Sequence, residues 1–166
     1  MKAFQLNLII HKFTITPKTT RRAVTAIANI TIRKTQDFFT ILSLNEQIFS
    51  ESESIDVSNN IFGWIARDGA NKKSIGFCTA TNIGSGILYL SRSGLLSGYR
   101  GRGLQRRFVR IRERFARQNK FQTVITYVHP ENHSSFVTLI KMGYEIYDPE
   151  YDYVGDEFIY LRKNVK

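Results

Sequence analysis

Leu95-Leu96-Ser97-Gly98-Tyr99-Arg100-Gly101-Arg102-Gly103-Leu104-Gln105-Arg106-Arg107-Phe108-Val109-Arg110-Ile111-Arg112-Glu113-Arg114-Phe115-Ala116-Arg117-Gln118-Asn119-Lys120 reads as a strand end, a glycine-bearing turn and a long basic helix. Ahead of it, the apolar run Ile87–Leu90 is bounded by glycines and reads as a buried strand feeding the turn at Gly98–Gly103. Leu104, Phe108, Ile111 and Phe115 recur at spacings of 4, 3 and 4 and share one helix face, while Arg107, Arg110, Arg114 and Arg117 fall on the opposite side. A turn that delivers unpartnered backbone N–H groups to a helix start is an anion site, because the helix dipole adds positive potential there. Glycines let a diphosphate come close, and each charge-assisted bond contributes about 1.5–3 kcal/mol. The plain alternative is a strand-turn-helix corner with no ligand.

Spacing separates the phosphate motifs that use this architecture. Gly98 and Gly103 have the separation of a Walker loop, but Leu104-Gln105 stands where Lys-Ser/Thr is required. The dinucleotide fingerprint fails as well, since Arg106 occupies the third glycine position and no acid stands about twenty residues on. Arg100-Gly101-Arg102-Gly103-Leu104-Gln105 instead resembles the acetyl-coenzyme A loop of the GNAT N-acetyltransferase superfamily, Arg/Gln-x-x-Gly-x-Gly/Ala, with Gln105 as the departure. Downstream, Thr123–Val128 reads as a strand, and His129-Pro130-Glu131-Asn132-His133-Ser134-Ser135 leads into a short helix stopping at Met142-Gly143-Tyr144. This is similar to the superfamily's strand-loop-helix unit, matched at Asn132, Ser135, Gly143 and Tyr144. The resemblance covers roughly residues 75–163.

The resemblance implies a mixed, mostly antiparallel sheet with helices on both faces, in which one parallel pair splays to admit the pantetheine arm. It implies acetyl-coenzyme A as co-substrate, held by Arg100, Gly101, Arg102, Gly103, Leu104 and Gln105, by backbone near Leu95 and Leu96, and by Asn132 and Ser135. It implies transfer of acetyl to a primary amine. The superfamily often places a proton-donating tyrosine four residues before the helix-ending glycine, and here that position is Leu139. His129 is the candidate acid or base, since imidazole titrates near neutrality; His133, Tyr127 and Tyr144 compete, and His129 also fits a plain loop residue. Asn132 has a second reading as the helix cap bonding the Ser135 N–H. Gly143 reads as a left-handed helix stop.

The chain has 166 residues, 42% hydrophobic and 13% aromatic, enough for one core and short for two, so 1–166 is expected to be a single domain. No apolar span approaches the length needed to cross a membrane, and the lone Cys78 lies in a strand-like run, so a cytoplasmic protein with a buried structural thiol is expected. No metal-ligating cluster stands out. Net charge is +10 and unevenly spread: residues 100–120 carry nine Lys or Arg against Glu113, whereas residues 145–157 carry six acids and no Lys or Arg. The basic face steers coenzyme phosphates and otherwise meets solvent, or it binds nucleic acid, which would make the chain a tRNA-associated module indifferent to small amines. The acidic segment interleaves its carboxylates with Tyr144, Tyr147, Tyr151 and Tyr153. It reads either as the site of a cationic amine acceptor, through cation-π contacts, or as a solvated turn. Sequence says nothing of the oligomer.

In chain order, Phe4–Phe13 is expected as a strand, Thr19–Lys34 and Asp37–Phe49 as helices, and Ile61–Arg67 with Ser74–Thr81 as a hairpin. Tyr144–Tyr147 and Glu157–Arg162 are expected as a last hairpin. One strand, two helices, three strands, helix, strand, helix and two strands make an α/β domain with a single parallel pair.

Overall fold

A computed structural model describes residues 29–49, 55, 57, 60–150, 155 and 157–166. The strand expected at 4–13 and the first part of the helix expected at 19–34 lie outside the described residues. The described chain runs β1 (Ile30–Thr35), α1 (Phe38–Ile48), β2 (Ile61–Asp68), β3 (Ser74–Asn82), β4 (Ile87–Tyr89), β5 (Ser93–Leu95), α2 (Leu104–Gln118), β6 (Thr123–Val128), α3 (His133–Lys141), β7 (Glu145–Ile146) and β8 (Ile159–Asn164). The sheet order is β1-β2-β3-β4-β6-β8-β7, with β5 continuing beside β3. All pairings are antiparallel except β4 with β6, bridged by α2.

Residues 30–34 correct the expected helix. Ile30 and Ile32 alternate with Thr31 and Arg33, a period of two, and six residues pair antiparallel with β2 from Ile30↔Asp68 to Thr35↔Gly63. The β-branched residues that weaken a helix there favour a pleated edge strand. By contrast α1 forms as expected. Asp37 caps it, its side chain accepting from Thr40 N–H (3.0 Å) and Thr40 hydroxyl (2.6 Å), and these bonds hold the Asp37 carboxyl below its usual pKa.

Helices cover both faces. Ile41 and Leu44 of α1 pack on Ile65 and Phe77, while α2 and α3 pack on the other face around Trp64, Leu88, Phe108, Phe115, Val124, Leu139 and Leu161. Phe115 stands edge-on to Trp64 at 5.3 Å and tilted on Phe62 at 4.5 Å. The buried face of α2 is wider than the apolar periodicity, because Val109, Arg112, Glu113 and Ala116 are buried along with Leu104, Phe108 and Phe115.

The strand expected at 87–90 continues as two strands with a break. Tyr89 pairs with Thr81, but Ser93 pairs with Cys78, so the β4–β5 side holds one extra residue, a β-bulge at 90–92. Hydroxyls replace the ladder there. Thr79 Oγ1 accepts from Arg92 N–H at 3.1 Å and lies 2.9 Å from Ser91 Oγ, while Thr79 N–H donates to Arg92 O at 2.8 Å. The last bond of the parallel pair is Leu90 N–H to Ile125 O, 2.8 Å. Beyond it β5 follows β3, β6 follows β8, and the two part.

Candidate active site

The parting strands leave a gap whose walls follow from β-pairing. Arg92 O and Leu96 N–H bond β3, at Thr79 and Ile75, so by antiparallel alternation the backbone of Ser93 and Leu95 faces the gap. Leu95 O accepts from Arg100 Nε at 3.0 Å. Leu96 spends its N–H on Ile75 and its carbonyl on Tyr99 N–H, and so flanks the gap.

The glycine turn stands at the gap's outer end. Gly101 and Gly103 take φ of +72° and +73°, and a Cβ at either would meet nothing within 4 Å, so their faces are open. Gly103 is the N-cap of α2 and has no side chain to cap with. The first helical bond is Arg107 N–H to Gly103 O, leaving the N–H groups of Leu104, Gln105 and Arg106 without intrahelical partners. The turn is pinned from outside: Tyr99 OH donates to Asp68 at 2.9 Å, Arg102 to Gly98 O at 2.8 Å, and Arg107 to Ile30 O at 2.7 Å. Gln105, the departure from the superfamily loop, turns its amide to the Ser93 hydroxyl (3.0 Å) and ties helix to strand.

Two adjoining cavities fill this region. The outer, of about 870 Å³, lies against Arg100, Gly101, Gly103, Leu104, Gln105 and Thr138. The inner, of about 400 Å³, reaches Leu90, Arg112, Tyr127, His129, Leu139 and Phe158. Phe49, Ser93, Gln105, Asn132 and Ser135 line both, so the two volumes share a wall between the turn and the interior of the gap. Of the residues expected at the site, Arg102 and Leu96 line neither cavity, and the other cofactor candidates line at least one. Asn132 does cap α3, accepting Ser135 N–H at 3.1 Å. Gly143 ends α3 at φ +84°.

Among the acid or base candidates, His129 lies at the inner cavity with its side chain 48% exposed and its ring edge-on to Phe158 at 5.6 Å. Its Nδ1 accepts Glu131 N–H at 3.3 Å, which puts the neutral ring's proton on Nε2. Tyr127 lines the same cavity between Tyr89 and Phe158. His133 lines neither cavity and rests on Glu131 O. Tyr144 is buried and lines neither cavity; burial, then the nearby Glu113 carboxylate, push its pKa well up. Sequence reasoning passed over Phe49, Ser93, Arg112 and Phe158. The readable signal was Arg112 itself, four residues after Phe108 and three before Phe115 and so on the packed side of α2.

The aromatic faces of the acidic segment are occupied from within the chain. Lys163 sits over Tyr144 at 5.5 Å and Arg162 over Tyr147 at 5.3 Å, and Arg162 also pairs with Glu145 at 2.9 Å. Asp148 and Glu150 are exposed, and residues 151–154 and 156 lie outside the described residues.

Residues 26–144 match the model of the Acetyltransferase (GNAT) family. This span is most of the chain, and the chain belongs to that family; it is an N-acetyltransferase by fold and family. No curated protein matches the sequence. Solved structures match in fold. The ribosomal-protein-S18-alanine N-acetyltransferase of Escherichia coli is 12% identical, with 82% of this chain and 94% of that one covered at a TM-score of 0.68. A GNAT family acetyltransferase from Elizabethkingia anophelis with acetyl-CoA bound is 14% identical, with 82% and 98% covered at 0.65. The spermidine/spermine N-acetyltransferase of Vibrio cholerae is 16% identical, with 83% and 94% covered at 0.63. Among the described residues no group of His, Cys, Asp or Glu could hold a metal ion, and no helix is long and apolar enough to cross a membrane.

Proposed function

We propose that the chain transfers an acetyl group from acetyl-coenzyme A to a primary amine. The observation that carries this is that the cavity at the open glycine turn adjoins the cavity in the gap where β5 and β6 part. The pyrophosphate rests on the backbone of Gly101, Arg102, Gly103, Leu104 and Gln105, with Arg100 bracing the turn. The pantetheine arm runs along Leu95 and Ser93, past Asn132 and Ser135, and presents the thioester to the inner cavity. Holding thioester and amine in contact there supplies up to about 7–11 kcal/mol of the barrier, whereas a positioned general acid or base adds about 10²–10⁴-fold.

The acceptor is a cationic amine that sheds a proton before attack. Exposed Asp148, Glu150 and Glu157 draw the ammonium form toward this edge of the sheet, and Tyr127 and Phe158 offer aromatic walls near the inner cavity. Within the cavity Arg112 disfavours the ammonium form by like charge. His129, at the edge, takes the proton on Nδ1; in the neutral ring that nitrogen accepts Glu131 N–H, so protonation there exchanges that bond for the Glu131 carboxylate 3.9 Å away. Calorimetric titration with acetyl-coenzyme A tests the reading: one site in the micromolar range is expected, and no binding by folded protein refutes it.

A second reading draws on the exposed row Arg106, Arg110, Arg114 and Arg117 of α2, which would follow a nucleic-acid backbone. It predicts affinity for RNA or DNA that falls steeply with salt and is indifferent to coenzyme A.

A further inference from the structure

We infer that the guanidinium of Arg112 stabilises the coenzyme A thiolate as it leaves, in place of a side-chain proton donor. This rests on the reading of the gap as the thioester chamber. Leu139, where the superfamily's usual tyrosine would stand, is 3% exposed and lines the inner cavity with no proton to give. Arg112 lines the same cavity from α2, eight residues past Leu104 and so about 12 Å along the helix axis from the phosphate turn.

The strand break holds this cation in place. Arg112 is 2% exposed. Its Nη1 donates to Thr79 O at 3.0 Å and its Nε to Phe108 O at 3.1 Å. Thr79 O is available because Arg92 N–H bonds the Thr79 hydroxyl across the bulge. One irregularity therefore opens the gap and fixes a charge beside it. Glu113, the adjacent acid, is held elsewhere, by Lys163 at 2.9 Å and Arg117 at 3.6 Å, and among the described residues no carboxylate pairs with Arg112. Leu90, Val109 and Leu139 stand beside it in the cavity wall, and among the described residues lining that cavity there is no carboxylate to neutralise it, while Arg92 adds a second positive charge. The field of Arg112 reaches the neighbouring thiol: at Cys78 it favours the thiolate, against the larger effect of burial.

In the reaction the neutral amine's lone pair forms the N–C bond at the thioester carbonyl carbon. The C–S bond then breaks and its electron pair leaves on sulfur. His129 has passed the ammonium proton to solvent, and the surplus proton left on nitrogen after attack goes to water. Sulfur stays a thiolate in the field of Arg112 until water protonates it.

The test is an ultraviolet thiolate titration of coenzyme A bound to the protein, together with kinetics of Arg112→Met and Arg112→Lys. In the wild-type complex the bound thiol should titrate about one unit or more below free coenzyme A titrated in the same buffer. Arg112→Met should return it to the free value or above and lower kcat about 30-fold or more, with KM for acetyl-coenzyme A changed less than about threefold. Arg112→Lys should recover part of both effects. A wild-type bound thiol at or above the free value overturns the inference whether or not the variants fold, as does an Arg112→Met protein with an unchanged thiol pKa. Failure of wild type to bind coenzyme A at all would instead overturn the cofactor reading, and the inference with it.

Discussion

Gly103→Asp separates a phosphate cradle from a bare corner. Gly103 has φ +73°, and a Cβ there meets nothing within 4 Å, so the new side chain enters open space with no steric clash. The left-handed conformation costs a non-glycine residue about 1–2 kcal/mol, with aspartate among the more tolerant. A carboxylate at a helix N-terminus offsets about 0.3–1 kcal/mol of that. The net of roughly 1 kcal/mol is a fall in Tm of about 2–4 °C for a chain of this size. Binding suffers far more. The carboxylate competes for the N–H groups of Leu104 to Arg106 and repels the pyrophosphate. Loss of two charge-assisted bonds at about 1.5–3 kcal/mol each is a total of about 3–6 kcal/mol, or 10²–10⁴-fold in Kd. Calorimetry against acetyl-coenzyme A reads the effect, with circular dichroism to establish folding. Gly103→Ala, which carries the strain without the charge, should lose much less. A folded Gly103→Asp protein that binds within about threefold of wild type refutes the placement.

Three further outcomes follow from the geometry. His129→Ala should lower kcat by about 10²-fold with cofactor affinity unchanged; a loss below about threefold in steady-state kinetics makes His129 a loop residue and leaves proton removal to solvent. Lys163→Met removes the closer of the two cations paired with buried Glu113, leaving Arg117 at 3.6 Å, and should cost about 3 kcal/mol, while adding Glu113→Gln should recover more than half of it in urea melts; an unchanged melt contradicts the pairing. Burial pushes the Cys78 thiol up to about 12, so it stays protonated and should resist alkylation in native protein up to pH 9, then react in denaturant, as mass spectrometry would show.

The glycine turn, α2, β6 and α3 were legible because each carries a local rule: glycine spacing, a 3.6-residue period, an apolar run, and a cap at Asn132 with a stop at Gly143. Strand β1 was misread because Ala23, Ile27 and Ile30 satisfy a helical period, while the pairing of residues 30–35 with β2 is a non-local fact. The gap was implied only by resemblance. Its cause, one surplus residue between Tyr89 and Ser93 measured against Thr81 and Cys78, exists in the register of two strands and in neither strand alone. Arg112 is counted in the sequence only within the net charge of residues 100–120, although its spacing from Phe108 and Phe115 puts it on the packed face of α2; the carbonyl of Thr79 that holds it there is a non-local partner. The aromatic faces of Tyr144 and Tyr147 were read as open to an ammonium ligand, but β8 brings Lys163 and Arg162 over them.

The central claim, acetyl transfer to a primary amine, is tested most directly by release of free coenzyme A thiol from acetyl-coenzyme A, with mass analysis of the acceptor. The panel is polyamines, lysine-bearing peptides and aminoglycosides, set beside neutral and acidic amines. The account predicts amine-dependent release with a mass gain of one acetyl group, fastest for cationic acceptors. Release no faster than hydrolysis across the whole panel, from protein that binds acetyl-coenzyme A, would contradict it.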